Sequence, residues 1–275
     1  MLDYYICCSI ITYQIKRDKM KDEHNNSIID QFTKQATPFT ENEGHSDEST
    51  FKLMFDITGV NKGDTVLDLA CGPGLVTTAF ASQAKHATGI DITPAMIEKA
   101  KQIQKEKGLT NLSWEIGDVT KLPFDDESFS MVITRYSFHH FIDPAKVMGE
   151  MKRVCKKGGT LMVVDVAVPP KKRDDYDHLE KLRDPSHTSA YTLQEMLDMA
   201  KELNLTDIKT QWYNLEMELE KQLQASFPNP GDDEKIRKLV KADIGKDSLG
   251  IDAHMIGDEI HFYYPTLIFV GVKPA

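Results

Sequence analysis

The chain has 275 residues, 40% apolar and 28% charged, which excludes a disordered chain, a collagen and a multi-span membrane protein. With 33 basic and 43 acidic side chains the net charge is −10, a surface that repels phosphate backbones and disfavours a nucleic-acid partner. Four cysteines with no CxxC pair make neither a disulfide framework nor a zinc site and point to reduced thiols in the cytoplasm.

Taken in chain order, residues 2–15 are apolar but too short to span a bilayer, which takes about 20 residues. Their basic neighbours Lys16, Arg17 and Lys19 follow the apolar run, where a signal peptide carries its positive charge first. Residues 1–26 therefore read as an extension, disordered or upstream of a natural start at Met20; the alternative is a membrane-surface tether, with no stable insertion. A single domain is expected over 27–275: N-terminal helices at 27–60, a core at 61–170 and a further part at 171–275. Within the core, β-branched apolar runs alternate with helical patterns, the rhythm of βαβ units on a parallel sheet. The predicted strands are Thr65–Ala70, Ala87–Ile90, Leu112–Ile116, Ser130–Tyr136 and Thr160–Val168. Helices are predicted from Leu75 to Lys85, from Pro94 to Gly108 with Thr93 as cap, and from Pro144 with Val147, Met151 and Val154 inward. Lys156-Lys157-Gly158-Gly159 reads as the last helix's basic end and glycine stop. Beyond Pro170 the mixed charges of 171–187 suggest a solvated helix, followed by a helix at Thr192–Leu203 and a strand at Ile208–Trp212. Leu215, Leu219, Leu223 and Phe227 repeat every four residues as one helix, and Ile236–Ile244 as another; a strand over Phe262–Val272, interrupted near Pro265, closes the chain.

The most informative segment is Val66-Leu-Asp-Leu-Ala-Cys-Gly-Pro-Gly74, a strand running into a glycine loop and then a helix. Glycines let a ligand approach the backbone, and the helix start offers unpaired N–H groups. Asp91, 19 residues past Gly72 at the tip of the second strand, can accept hydrogen bonds from a ribose diol. Alone, this fits a nicotinamide dinucleotide as well as another adenosine ligand. Three details separate them. Thr77 stands where the dinucleotide fingerprint has its third glycine. Asp68, inside the strand, suits a cationic ligand and repels a pyrophosphate. Asp118 repeats the strand-end acid at the third strand, where it can accept from an exocyclic amine.

VLDLACGPG, then GID at 89–91, then GDVTKLPFDDESFSMVI at 117–133, resembles the class I S-adenosylmethionine-dependent methyltransferases, most closely the small-molecule branch around the ubiquinone/menaquinone-biosynthesis enzymes. The resemblance covers about Ser27 to Val168. It implies an α/β fold: a Rossmann-like, seven-stranded, mostly parallel sheet with an antiparallel last strand, helices on both faces, an N-terminal helical lid and a helical insertion after strand five. It further implies S-adenosyl-L-methionine as cofactor, with Asp68, Gly72 and Gly74 toward its methionine half, Ala70 and Pro73 also in the cofactor site, and Asp91 on the ribose. Ile92, Met96, Asp118 and Val119 would surround the adenine, and Arg135 the carboxylate or the loop.

Methyl transfer is an in-line displacement that needs alignment of donor and acceptor and, for an acidic acceptor, a base. Strand four ends in Arg135-Tyr-Ser-Phe-His-His-Phe141, where the quinone enzymes carry Arg-Asn, so a quinone substrate does not follow. His139 is the first candidate base and His187 the second. Phe32, Phe39, Tyr136 and Phe138 are candidate acceptor-pocket walls, and Asp165 a candidate acid there. The paired acids of magnesium-dependent catechol enzymes are not evident, so no metal is predicted. The expected activity is methylation of a small-molecule acceptor at carbon, nitrogen or oxygen, in a possible homodimer. The rivals are a non-catalytic S-adenosylmethionine-binding protein and a nicotinamide-dependent oxidoreductase.

Overall fold

The computed structural model describes residues 2–36 and 48–275, with side chains in the first helix from Lys19 onward. Phe39 lies outside the described residues. In chain order the elements are α1 (Leu2–Gln35), α2 (Glu48–Thr58), β1 (Thr65–Leu69), α3 (Leu75–Ala81), β2 (His86–Asp91), α4 (Pro94–Lys107), β3 (Leu112–Ile116), β4 (Phe129–Arg135), α5 (Pro144–Val154) and β5 (Cys155–Val166). Then come α6 (Arg173–Arg183), α7 (Leu193–Glu202), β6 (Thr206–Glu218), α8 (Leu219–Ser226), α9 (Asp232–Asp243), β7 (His254–Ile256) and β8 (Glu259–Val272).

The sheet order is β3-β2-β1-β4-β5-β8-β6, with β1 to β5 parallel and β8 antiparallel to both neighbours. The expected α/β architecture is therefore present, with an eighth strand, β7, paired on β8 beyond the seven expected. Strands buried on both faces read as continuous apolar runs. Leu67, Leu69, Val132 and Val163 face one core with Val147 and Met151 of α5. Val66, Ile133, Met162 and Val164 face the other with Met54 and Phe80. A third cluster joins α6, α8 and α9 to the ends of β6 and β8 through Leu179, Leu223, Val240 and Tyr264.

Several local expectations are corrected. Lys156–Gly159 opens β5 rather than closing α5, because Gly158 N–H donates to the Lys273 carbonyl and the ladder shifts register between Phe129 and Met131. A Cβ at Gly159 would lie 2.7 Å from the Ser130 carbonyl, so the glycine serves a bulge. Leu215 lies in β6, and the helix starts at Leu219. Pro265 does not interrupt β8: its carbonyl accepts from Ala167 N–H, so its missing N–H faces the end of β5, where the ladder stops. The 171–187 segment is not a solvated helix, for Tyr176, Glu180, Asp184 and His187 are buried. The first helix runs unbroken through residue 26, the expected end of the extension.

Trp114 of β3 lies under the glycine loop, its Nε1–H donating to Gln104. A Cβ at Gly89 would meet its ring at 2.6 Å and Cys71 Sγ at 2.8 Å. Gly89→Ala is expected to lower unfolding free energy by about 1–3 kcal/mol through overpacking, read as a fall in the urea midpoint. An unchanged midpoint would show that the Trp114 ring yields freely.

Candidate active site

In open parallel sheets the crevice lies beyond the carboxyl ends of the strands, where strand order reverses. Here that point is β1, flanked by β2 and β4, and a cleft of about 310 Å³ opens above it. Ala70, Gly72, Pro73, Asp91, Ile92, Met96, Asp118, Val119, Arg135 and Tyr136, all singled out in the sequence, line it. Ala70 and Gly72 have left-handed backbone (φ 49° and 53°), which turns the loop across the strand tips.

Asp91 fixes that loop. Gly72 N–H donates to Oδ2 and Thr93 N–H to Oδ1, each at 2.8 Å. Burial pushes its carboxyl above the usual range, and the two N–H groups oppose the rise. Asp68 is not on the cleft wall. It is buried beneath the loop and accepts from Thr77 Oγ1 at 2.6 Å. Burial raises its carboxyl to about 7 despite Thr77 and the Arg135 charge. Thr77, noted in the sequence only as a missing glycine, is thus the partner of a buried acid. Gly74 also faces away from the cleft: φ is 78° and a Cβ would lie 2.4 Å from Trp114.

At the third strand tip, Asp118 accepts from Thr120 N–H at 2.8 Å and pairs with Lys21 of α1 at 2.7 Å. Burial raises the Asp118 carboxyl, and the Lys21 and Thr120 hydrogen bonds more than reverse this, leaving it below the usual range. From α1, His24 Nε2–H also donates to the His140 carbonyl at 2.7 Å. Lys21, His24 and Asn25 line the cleft, a contribution the sequence reading assigned to an extension outside the domain. Their polar run KDEHNN is what a helix shows when it meets a polar rim and solvent together. At the other end, the Arg135 guanidinium lies over the rings of Phe51 and Tyr136, at 5.3 and 5.2 Å.

A short 3-10 turn at Phe138–His140 carries the histidines. His139 Nδ1–H donates to Asp165 Oδ1 at 2.7 Å, leaving Nε2 as the ring's acceptor atom. Burial lowers the His139 imidazole, and the Asp165 charge and hydrogen bond overcome this, placing it above its ordinary value. Asp165 is driven up by burial and held down more strongly by His139 and the Val166 N–H. His140 Nδ1–H donates to the Ser186 carbonyl at 3.1 Å, and burial with the neighbouring His139 charge keeps this ring neutral. The His187 ring lies 5.4 Å from that of His139, tilted by 31°, with Nε2–H donating to Asp177 at 2.8 Å. Its side chain is 1% exposed and borders neither cavity. Phe138 is likewise enclosed, packed on Phe141 and Tyr191. Thr188 N–H and Oγ1–H clamp the His139 carbonyl, each at 2.7 Å, so the inserted segment holds the histidine turn.

A smaller cavity of about 70 Å³ lies beside the cleft. Phe32, Tyr136 and His140 border both, and His139 borders the smaller one. His140, adjacent to the candidate base His139, thus stands between the two spaces; adjacent histidines carry no periodic signal that tells them apart.

A family model described as a methyltransferase domain matches residues 60–226. The protein called "Uncharacterized methyltransferase YcgJ" of Bacillus subtilis is 33% identical over 251 residues, spanning 86% of this chain and 98% of that one. Its crystal structure superposes with a TM-score of 0.77 at 26% identity, over 83% of this chain and all of that one (100%). The demethylmenaquinone methyltransferase of Clavibacter sepedonicus is 32% identical over 108 residues, 39% of this chain and 43% of its own length. Among the described residues, no helix is long and apolar enough to cross a membrane.

Proposed function

The chain belongs to the methyltransferase-domain family and is a methyltransferase; from that premise we propose that it moves a methyl group from S-adenosylmethionine to a small organic acceptor in the cytoplasm. The observation that carries this reading is Asp91, a carboxylate on the cleft wall whose two oxygens are aimed by the N–H groups of Gly72 in the glycine loop and Thr93 at the next helix start. Its remaining lone pairs suit a ribose diol. Ile92, Met96 and Val119 give apolar contact to an adenine, and Asp118 an acceptor for its amine. Ala70, Gly72, Pro73 and Arg135 suit an amino-acid moiety. Asp68 and Gly74 act behind the loop, through Thr77 and Trp114. Acids at successive strand tips favour a cationic donor over a pyrophosphate.

When bound, the donor supplies an electrophilic sulfonium methyl. The chain's own groups do the rest. Phe32 and the α1 rim exclude water, Tyr136 and His140 wall the acceptor space, and His139, oriented by Asp165, accepts the acceptor's proton. His187 and Phe138 position that turn without touching substrate. Titration calorimetry should show S-adenosylhomocysteine binding and no heat from NADH. The reverse result would replace this reading with a nicotinamide-dependent oxidoreductase. Binding without turnover on any acceptor would favour a non-catalytic binding protein.

A further inference from the structure

The small cavity beside the cleft has a feature that the cleft does not explain. Gln222 of α8 borders it, is 7% exposed, and its Oε1 is buried with no hydrogen-bond partner among the described residues. The surrounding network fixes which amide atom is left over. Glu180 takes two hydrogen bonds from Arg183, at 2.6 and 2.9 Å, and so acts as an acceptor. Tyr264 O–H donates to Glu180 Oε1 at 3.2 Å, so the Tyr264 oxygen can only accept. Gln222 Nε2–H is the donor that meets it, at 3.5 Å. That leaves Oε1 as a buried acceptor, which is costly unless an occupant of the cavity brings it an N–H or O–H.

Two further properties narrow the ligand. A water needs roughly 10–15 Å³ on this scale, so about 70 Å³ holds some five to seven heavy atoms. The charged groups around it are the carboxylates of Glu180 and Asp184 and, through His139, of Asp165, against the Arg183 guanidinium and the His139 imidazole, with His140 neutral. That wall opposes an added anion. The cavity shares Phe32, Tyr136 and His140 with the cleft, so an occupant would sit beside whatever fills the cleft.

We propose that this cavity is the acceptor subsite, and that Gln222 Oε1 selects a compact, uncharged or cationic nucleophile bearing an N–H or O–H. This rests on the methyl-transfer reading for the meaning of "acceptor", but the binding chemistry stands on the cavity alone. The test is saturation-transfer NMR on the full chain with phenol, aniline and butyrate, each with and without S-adenosylhomocysteine. Phenol reports an O–H, aniline an N–H, and butyrate an anion that fits the same volume. At least one of the first two is expected to bind the wild type, and butyrate is not. Gln222→Leu should weaken that binding about five- to tenfold. Ala225→Met, which fills the same cavity from α8, should abolish it. Both variants should keep S-adenosylhomocysteine affinity within about twofold, as neither borders the cleft. Undiminished fragment binding in Gln222→Leu, a preference for butyrate, or no fragment binding to the wild type overturns the proposal. Failure of S-adenosylhomocysteine to bind, with the fragment pattern intact, would instead overturn the cofactor reading.

Discussion

Asp91→Ala is expected to weaken S-adenosylhomocysteine binding by at least a hundredfold. Two effects combine. The variant loses a carboxylate able to accept from both ribose hydroxyls, at about 1.5–3 kcal/mol for each hydrogen bond to a charged group, or ~10²- to 10⁴-fold together. It also strands the N–H groups of Gly72 and Thr93, which Asp91 now engages at 2.8 Å, so the glycine loop loses its anchor. Calorimetry measures the affinity, and circular dichroism with thermal melting checks that the sheet remains intact. Affinity within threefold of the wild type would mean that the adenosine half does not lie at the tip of β2.

His139→Ala is expected to lower kcat by ~10²- to 10⁴-fold, the usual worth of a positioned general base, with little change in cofactor affinity. The sharper test is the pH dependence. The imidazole of His139 lies above its ordinary 6.5 because the Asp165 carboxylate outweighs burial. The base form grows as pH rises through that value, so turnover should climb with pH and be half-maximal above 6.5. In Asp165→Asn the attraction is gone and burial remains, so the midpoint should fall below 6.5. Imidazole titration by NMR reads the midpoint without any acceptor. If Asp165→Asn leaves it unmoved, the dyad is not what tunes His139.

The α/β architecture was legible because it is written locally. Thr65–Leu69, His86–Asp91 and Phe129–Arg135 are apolar runs closed by turn residues or acids, and strands buried on both faces need such runs. The acids Asp91 and Asp118 stood out at strand tips for the same reason, and both line the cleft. Glycines were harder to interpret. Gly72 turns the loop at the cleft, whereas Gly74 and Gly89 make room for Trp114, whose ring arrives from a strand two places away in the sheet or one. The α1 contribution was missed because Lys21, His24 and Asn25 look solvated in isolation; their partners lie about a hundred residues on.

The sequence by itself determined the parallel sheet, its strand tips and the acids on them, since burial pattern and turn chemistry act over a few neighbouring residues. Only the tertiary structure decided which charges face solvent. Asp177, Glu180, Asp184 and His187 looked like a solvated run and are buried, because each finds a partner once the segment folds back on the histidine turn and β8. Pairing across the fold offsets the cost of desolvation. No local periodicity records it, so the buried polar network behind the histidine turn emerges only when distant side chains meet.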